Sequence, residues 1–286
     1  MSKKTSVNTI VTVGGSGAAL LLVAYTVASY FWLDRPIPGC MADYQKTATF
    51  DLTGSDGNLL SPIELQARAG NGERGVTENA RIVAVSGGPG PAALEVKLGL
   101  ADPGDERATP GIGFTWRPAA SERASAACMR YSVWLPDDFD YAKGGNLPGF
   151  IGGELPAAGE KITNGVDLRT RWHREGLTDF SLRAPLVETS TGQSIGYRTA
   201  TLPRGRWSTI EQELKLNSPG KKDGVLRVWK DGALAVETKR LVMREDDSIH
   251  IDGVAANIGF ALTPTRQLPS GQPGTLRLSP IEMAWR

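Results

Sequence analysis

Val166-Asp167-Leu168-Arg169-Thr170-Arg171-Trp172-His173-Arg174 alternates without a break. In an extended chain successive side chains point to opposite sides. Val166, Leu168, Thr170 and Trp172 therefore share one face, and Asp167, Arg169, Arg171 and His173 share the other. A helical period would mix the two sets. The stretch predicts a strand with one side on a core and one side polar, and the chain around it reads the same way. Residues 129, 131, 133 and 135 are apolar, and Pro136-Asp137-Asp138 ends that run. Asp231-Gly232, between the runs 225–230 and 233–237, predicts a hairpin, because a type I′ turn wants two residues at positive φ. Further strands are predicted over 207–216, 249–254, 258–262 and 276–285, with Pro280 marking a bulge or an edge.

Upstream the pattern is less regular. Residues 50–52, 63–65, 80–85 and 93–98 read as strands, 54–57, 70–75 and 87–91 as loops, and 103–110 as a surface loop. They are taken as the opening strands of the same unit, with a separate small domain as the alternative. No long segment beyond residue 36 keeps a helical period. Many short strands joined by polar turns predict an all-β fold, a two-sheet jelly-roll β-sandwich.

The chain has 286 residues, 32 basic and 31 acidic, for a net charge of +1. That balance excludes a general nucleic-acid binder, which needs surplus cations against phosphate. A composition 40% hydrophobic and 22% charged excludes a disordered chain. Two cysteines and two histidines, His173 and His250, are too few for a four-cysteine zinc site or a His-rich centre, so no metal and no cofactor are expected.

From Ile10 to Leu33 there is no charged residue, Lys3 and Lys4 precede the run, and Tyr30-Phe31-Trp32 closes it. About 20 apolar residues span a bilayer, and basic residues ahead of them hold the N-terminus in the cytoplasm. The expected organisation is a short tail over 1–9, a transmembrane signal anchor over 10–33, a linker over 34–48 and the sandwich over 49–286. This places a single-pass protein in a bacterial cytoplasmic membrane, its C-terminal domain in the periplasm or outside. A signal peptide cut near Thr26-Val27-Ala28 or Cys40-Met41-Ala42 is the alternative. Either way the domain is exported, and Cys40 and Cys128 then stand either as a disulfide or as two separate thiols.

The polar side of the 166–174 strand is the candidate site. Its groups follow one another at about 7 Å. Arginine forks suit carboxylates, so the row fits an acidic sugar chain, while a solvated outer face is the plain alternative. An imidazole such as that of His173 is the side chain suited to moving a proton. The glycine-rich stretch 139–153 lacks the Gly-Lys-Ser/Thr ending of a phosphate loop and reads as a loop forming a wall of a carbohydrate groove. Trp116, Trp134, Trp172, Trp207 and Trp229 serve either as stacking platforms or as core. No Gly-x-Ser-x-Gly elbow occurs, and Glu154, Glu160, Glu175 and Glu211 are too scattered to pair as glycosidase acids.

Several blocks carry a resemblance. They are Leu135-Pro136-Asp137-Asp138-Phe139-Asp140, Lys143-Gly144-Gly145-Asn146-Leu147-Pro148-Gly149, Arg169-Thr170-Arg171-Trp172-His173, Arg204-Gly205-Arg206-Trp207 and Glu211-Gln212-Glu213-Leu214-Lys215-Leu216-Asn217-Ser218-Pro219-Gly220. Over residues 128–260 the chain resembles the polysaccharide lyases of family 14, which include alginate and glucuronan lyases of jelly-roll, concanavalin A-like fold. The resemblance implies β-elimination on a uronic-acid polymer, in which a carboxylate is neutralised, a base takes the C5 proton and an acid protonates the leaving oxygen.

In the alginate-cleaving relatives the Gly-Gly-x-Leu-Pro-Gly block carries a lysine at x, and a Tyr-x-Tyr pair follows the tryptophan strand. Here x is Asn146, and the segment after Gly176 contains Ser181 and Arg183 but no tyrosine. Each lost general acid or base is worth about 10²–10⁴-fold. The expectation is a polysaccharide-binding protein in exopolysaccharide assembly, secretion or remodelling. Asn146, Asp167, Arg169, Arg171, His173 and Gln212 would meet an acidic or neutral polysaccharide, beside envelope secretion partners. The alternatives are an active lyase, with His173 and Tyr197 as substitute catalytic groups, and a structural envelope protein.

Overall fold

The computed structural model describes residues 22–25, 37–70, 72–99, 111–119, 121, 123–141, 144–155, 160–187, 192–261 and 274–286. The chain divides into two units, Met1–Ile37 and Pro38–Arg286. In the first, residues 22–25 are helical, and the rest of the expected span over 10–33 lies outside the described residues. Among the described residues no helix is long and apolar enough to cross a membrane. The loop predicted over 103–110 also lies outside them.

The second unit is the predicted β-sandwich. Its described strands are β1 (Lys46–Phe50), β2 (Ala80–Ala84), β3 (Ala92–Leu98), β4 (Gly111–Trp116), β5 (Ala126–Trp134), β6 (Gly145–Gly153), β7 (Gly165–Trp172), β8 (Thr178–Arg183), β9 (Gln193–Ile195), β10 (Trp207–Lys215), β11 (Gly224–Lys230), β12 (Ala233–Leu241), β13 (Gly253–Phe260), β14 (Gly274–Leu278) and β15 (Ile281–Trp285). One nine-stranded sheet runs β12-β11-β10-β5-β14-β3-β2, with β15 paired to β5 and β1 to β15; a six-stranded sheet runs β4-β13-β6-β7-β8-β9. The inner faces of both supply one core, in which Met129, Tyr131 and Val133 of β5 face Leu147, Leu168 and Phe180 of the second sheet's strands. Trp172 is buried there between Phe139 and Phe260, at ring distances of 6.2 and 6.3 Å.

The hairpin at Asp231-Gly232 forms as predicted, with φ of 51° and 80°. Pro280 does more than mark a bulge. Having no N–H to donate, it splits the predicted 276–285 strand in two, so that β14 pairs with β3 while β15 pairs with β1. Residues 249–254 and 258–262 merge instead into the single strand β13, with Ile251 left as an isolated bridge to Ala124. The predicted strand at 63–65 is helix α1 (Pro62–Ala69). Ser61 Oγ accepts from the Glu64 N–H, the Glu64 carboxylate takes the Ser61 N–H at 2.8 Å, and Pro62 occupies the first turn. This capping box is readable in Ser61-Pro62-Ile63-Glu64 and outweighs the alternation of so short a run.

The glycine-rich stretch 139–153 is a loop only ahead of residue 145. Residues 145–153 form β6, in the interior of the six-stranded sheet. Its glycines let neighbouring backbone and rings close in: a Cβ on Gly149 would collide with the Leu168 carbonyl oxygen, and one on Gly145 with the Trp172 ring. Cys40 and Cys128 form a disulfide with Cα atoms 5.8 Å apart. Tyr44 donates to Glu213 at 2.8 Å, and the Met41 N–H donates to Glu211 at 3.1 Å. The compact unit thus starts at Pro38, with the segment ahead of β1 fastened to the outer face of β5 and β10.

Candidate glycan-binding face

Strand β7 presents the two faces read from its sequence. Val166, Leu168, Thr170 and Trp172 are buried in the core, and Asp167, Arg169 and Arg171 point outward, with His173 just beyond the strand end. Strand register extends the outer face sideways. Asn146 of β6 stands opposite Arg171, which stands opposite Asp179 of β8. One row along, Gly149, Arg169, Ser181 and Ser194 align, and the next row holds Ile151, Asp167 and Arg183.

The arginines are not a row of free forks. Arg169 Nε donates to Asp167 Oδ1 at 2.9 Å, and Arg183 Nη1 reaches Asp167 Oδ2 at 3.4 Å. Arg171 grips Asp179 with Nε at 2.8 Å and Nη2 at 2.5 Å. His173 Nε2 meets the same carboxylate at 3.0 Å, and the Ser194 hydroxyl donates to it. Both aspartates are almost wholly buried, while the side chains of Arg169 and Arg171 keep 28% exposure. Burial alone would raise the Asp179 pKa, but the donors Arg171, Ser194 and His173 outweigh it and hold the carboxyl below its usual range. Among the described residues of this network, three guanidinium groups meet two carboxylates. The buried anions organise the arginines and also compete for them.

Of the sequence-predicted groups, Asn146, Asp167, Arg169, Arg171 and His173 come together on this face. Tyr197 joins them: its ring is edge-on to His173, centroids 5.3 Å apart, and is 55% exposed. Gln212 does not. It lies fully buried between the sheets, its Nε2 donating to Thr170 Oγ1 at 2.5 Å. Tyr131 OH meets the same hydroxyl at 3.1 Å, which makes Gln212 part of a polar link across the core. The alternation of β10 puts Gln212 between the inward-facing Ile210 and Leu214, and the motif match alone hid that. Trp172 and Trp229 are core, and Arg277 covers the Trp134 ring at 4.9 Å. Asp179, Arg183 and Ser194 were missed as partners. Alternation in Thr178-Asp179-Phe180-Ser181-Leu182-Arg183 was the available signal for the first two.

A cleft of about 620 Å³ is lined by Asp140, Tyr141, Arg174, Glu175 and Arg204. Residues 92–261 match the polysaccharide lyase 14 family. The chain belongs to that family.

Among solved structures, this family 14 protein is similar to a marine alginate lyase from Aplysia kurodai, at 19% identity over 85% of this chain and 99% of that one, with a TM-score of 0.66. An alginate lyase from a Chlorella virus gives 19% identity, coverages of 84% and 99%, and a TM-score of 0.65. The endo-β-1,4-glucuronan lyase of the fungus Trichoderma reesei gives 13%, 77% and 90%, and 0.55. At these identities the likeness is one of fold. No curated protein matches the sequence.

Proposed function

We propose that this family 14 protein is an exported, membrane-anchored receptor for a uronate-bearing polysaccharide, serving exopolysaccharide assembly, secretion or remodelling rather than cleavage. The glycan lies on the outer face of the six-stranded sheet, its carboxylates received by Asn146, Arg169 and Arg171. One observation carries this reading: the arginines of the face are already committed to Asp167 and Asp179, and the family resemblance implies that Asn146, Ser181 and Arg183 stand where cleaving relatives carry a lysine and two tyrosines. Such a face can orient and neutralise a carboxylate but is poor in groups that exchange protons near neutrality. The uncharged run 10–33 supports the anchor, and the Cys40–Cys128 disulfide suits an oxidising compartment, where envelope secretion proteins would be the partners. The test is titration of the full-length protein in detergent with alginate, glucuronan and a neutral glucan. Retention of a polyuronate, weakened about tenfold or more by Arg171→Ala, supports the reading; equal indifference to all three glycans removes it.

A second reading, an active lyase, rests on His173 and Tyr197. With Nε2 held by Asp179, His173 keeps Nδ1 for the C5 proton, and the exposed Tyr197 hydroxyl would protonate the leaving O4 as the C4–O4 bond breaks and a C4=C5 double bond forms. Ultraviolet absorbance of the unsaturated product decides it. Activity lost in both His173→Ala and Tyr197→Phe would establish this chemistry, and silence on every polyuronate would exclude it.

A further inference from the structure

We propose that Cys40, Cys128 and Glu211 form a redox-gated metal site, closed while the disulfide stands and open, once it is reduced, to one divalent cation of the zinc kind. The site belongs to the nine-stranded sheet rather than to the sheet of β7, and it stands independently of the glycan reading. The two sulfurs and a Glu211 carboxylate oxygen lie within 4.8 Å of one another. Two cysteines fall short of a four-cysteine site, but two thiolates and a carboxylate make a three-ligand set that zinc accepts, with its fourth position left to water.

The place is marked by a carboxylate without a cation. Glu211 and Glu213 lie two residues apart and so share the outward side of β10. Glu213 is answered by Lys215 at 2.9 Å, Arg227 at 2.8 Å and the Tyr44 hydroxyl at 2.8 Å. Glu211, half-buried, pairs with no cation among the described residues. Arg130 stands opposite it in the β5–β10 register but turns to Glu282, its Nε donating at 2.8 Å. Glu211 Oε1 instead accepts the Met41 N–H at 3.1 Å and lies 3.7 Å from Cys128 Sγ. Gly39 closes over the same carboxylate, where a Cβ would strike its oxygen. Removing an anion from water without a countercharge is costly, and a metal ion beside the sulfurs is the countercharge this place lacks.

The sulfurs are placed to share such an ion. Both cysteines are buried in one cluster with Tyr44, Ala126, Trp229 and Ala284. Their Cα atoms are 5.8 Å apart. Around tetrahedral zinc, with Zn–S about 2.3 Å, two sulfurs stand about 3.8 Å from each other, a spacing that side-chain rotation reaches from backbones so placed. Reduction by a dithiol breaks the S–S bond. Two electrons and two protons pass to the cysteines, and the dithiol closes to its own disulfide. Metal binding then forms two metal–sulfur bonds and one metal–oxygen bond, and the thiol protons leave to solvent. The ion takes over from the disulfide in fastening residues 38–44 to β5 and β10.

The experiment uses the full-length protein in detergent. It is reduced with a phosphine, which supplies the same two electrons and leaves as its oxide with oxygen from water. Excess reductant is removed under argon, and the protein is titrated with Co²⁺ and then Zn²⁺. The reduced wild type should bind one cobalt per chain with a thiolate-to-cobalt charge-transfer band that zinc abolishes. The oxidised protein and Cys40→Ser should show no such band. Glu211→Gln should bind cobalt about a hundredfold more weakly, no less than the loss of a ligand's hydrogen-bonded partner costs. Zinc should also raise the urea midpoint of the reduced wild type, and raise that of reduced Glu211→Gln less, while the two oxidised proteins unfold together. No band in the reduced wild type, the same band in the oxidised protein or in Cys40→Ser, or a cobalt affinity unchanged by Glu211→Gln each overturns the site. The last outcome covers thiols bared by unfolding, which would bind metal without regard to Glu211.

Discussion

Arg171 holds Asp179 across the β7–β8 pair through two hydrogen bonds, Nε at 2.8 Å and Nη2 at 2.5 Å. The same carboxylate receives His173 and Ser194, so one buried anion fixes three donors of the outer face. This makes Asp179 the positioning residue of the face, and its charge state sets the geometry.

The Asp179 carboxyl is depressed in the folded protein. A depressed carboxyl contributes stability above its unfolded pKa, about 3.9, and loses that contribution as pH falls through the lower folded value. Asp179→Asn should therefore cost about 1–3 kcal/mol at pH 7, the range for a lost charge-assisted bond. The deficit should shrink toward zero as pH falls below about 4. Urea unfolding of both proteins at pH 7 and at pH 3 measures it, and a deficit unchanged by pH would show that Asp179 acts by packing.

The Cys40–Cys128 disulfide closes a long loop, its ends 88 residues apart in sequence, and ties the segment ahead of β1 to β5. On chain-entropy grounds such a cross-link stabilises by about 4–5 kcal/mol. Cys40→Ser with Cys128→Ser should lower the denaturation midpoint accordingly and expose Tyr44, whose bond to Glu213 depends on the segment staying down. Denaturation with tyrosine accessibility as a second probe checks both. A reductant should move the wild type alone.

Strand alternation made the architecture legible, because a half-buried strand writes its two faces directly into odd and even positions. It gave β7 residue by residue, and the Asp-Gly pair gave the β11–β12 turn. What it missed has local causes. A three-residue alternation at 63–65 does not distinguish strand from helix, and the capping box at Ser61 decided the matter. The stretch 139–153 looked like a loop throughout because glycine is rare in strands, yet over 145–153 the missing side chains let β7 and Trp172 approach. The polar row of β7 was visible, but not that its own Asp167 would hold Arg169, nor that Asp179 of β8 would hold Arg171, the latter because pairing between strands depends on register. Gln212 was misplaced because motif likeness says nothing of which side of a strand a residue takes.

Gly149 carries the approach of β6 to β7. Gly149→Ala would drive a methyl group into the Leu168 carbonyl and push the strands apart in the row that holds Arg169. The expected cost is about 3 kcal/mol, at the upper end for overpacking. Urea denaturation should show it, with polyuronate affinity falling in the same variant. A variant as stable as wild type would mean the sheet relaxes at this point.

Gln212 tests whether the glycan site is confined to the outer face. Its Nε2 donates to Thr170, and its Oε1 has no partner among the described residues, so part of the cost of burying the amide is uncompensated. Thr170 Oγ1 retains Tyr131 and its own bond to the Pro148 carbonyl when Gln212 is replaced. Gln212→Leu trades one hydrogen bond for the removal of an unsatisfied acceptor, in a slot already flanked by Ile210 and Leu214. Its stability should stay within about 1 kcal/mol of wild type, and glycan affinity should not change. Calorimetric titration beside urea denaturation separates the outcomes: affinity lost with stability kept would bring Gln212 back into the site, while stability lost alone would show that the link between the sheets needs both its amide atoms.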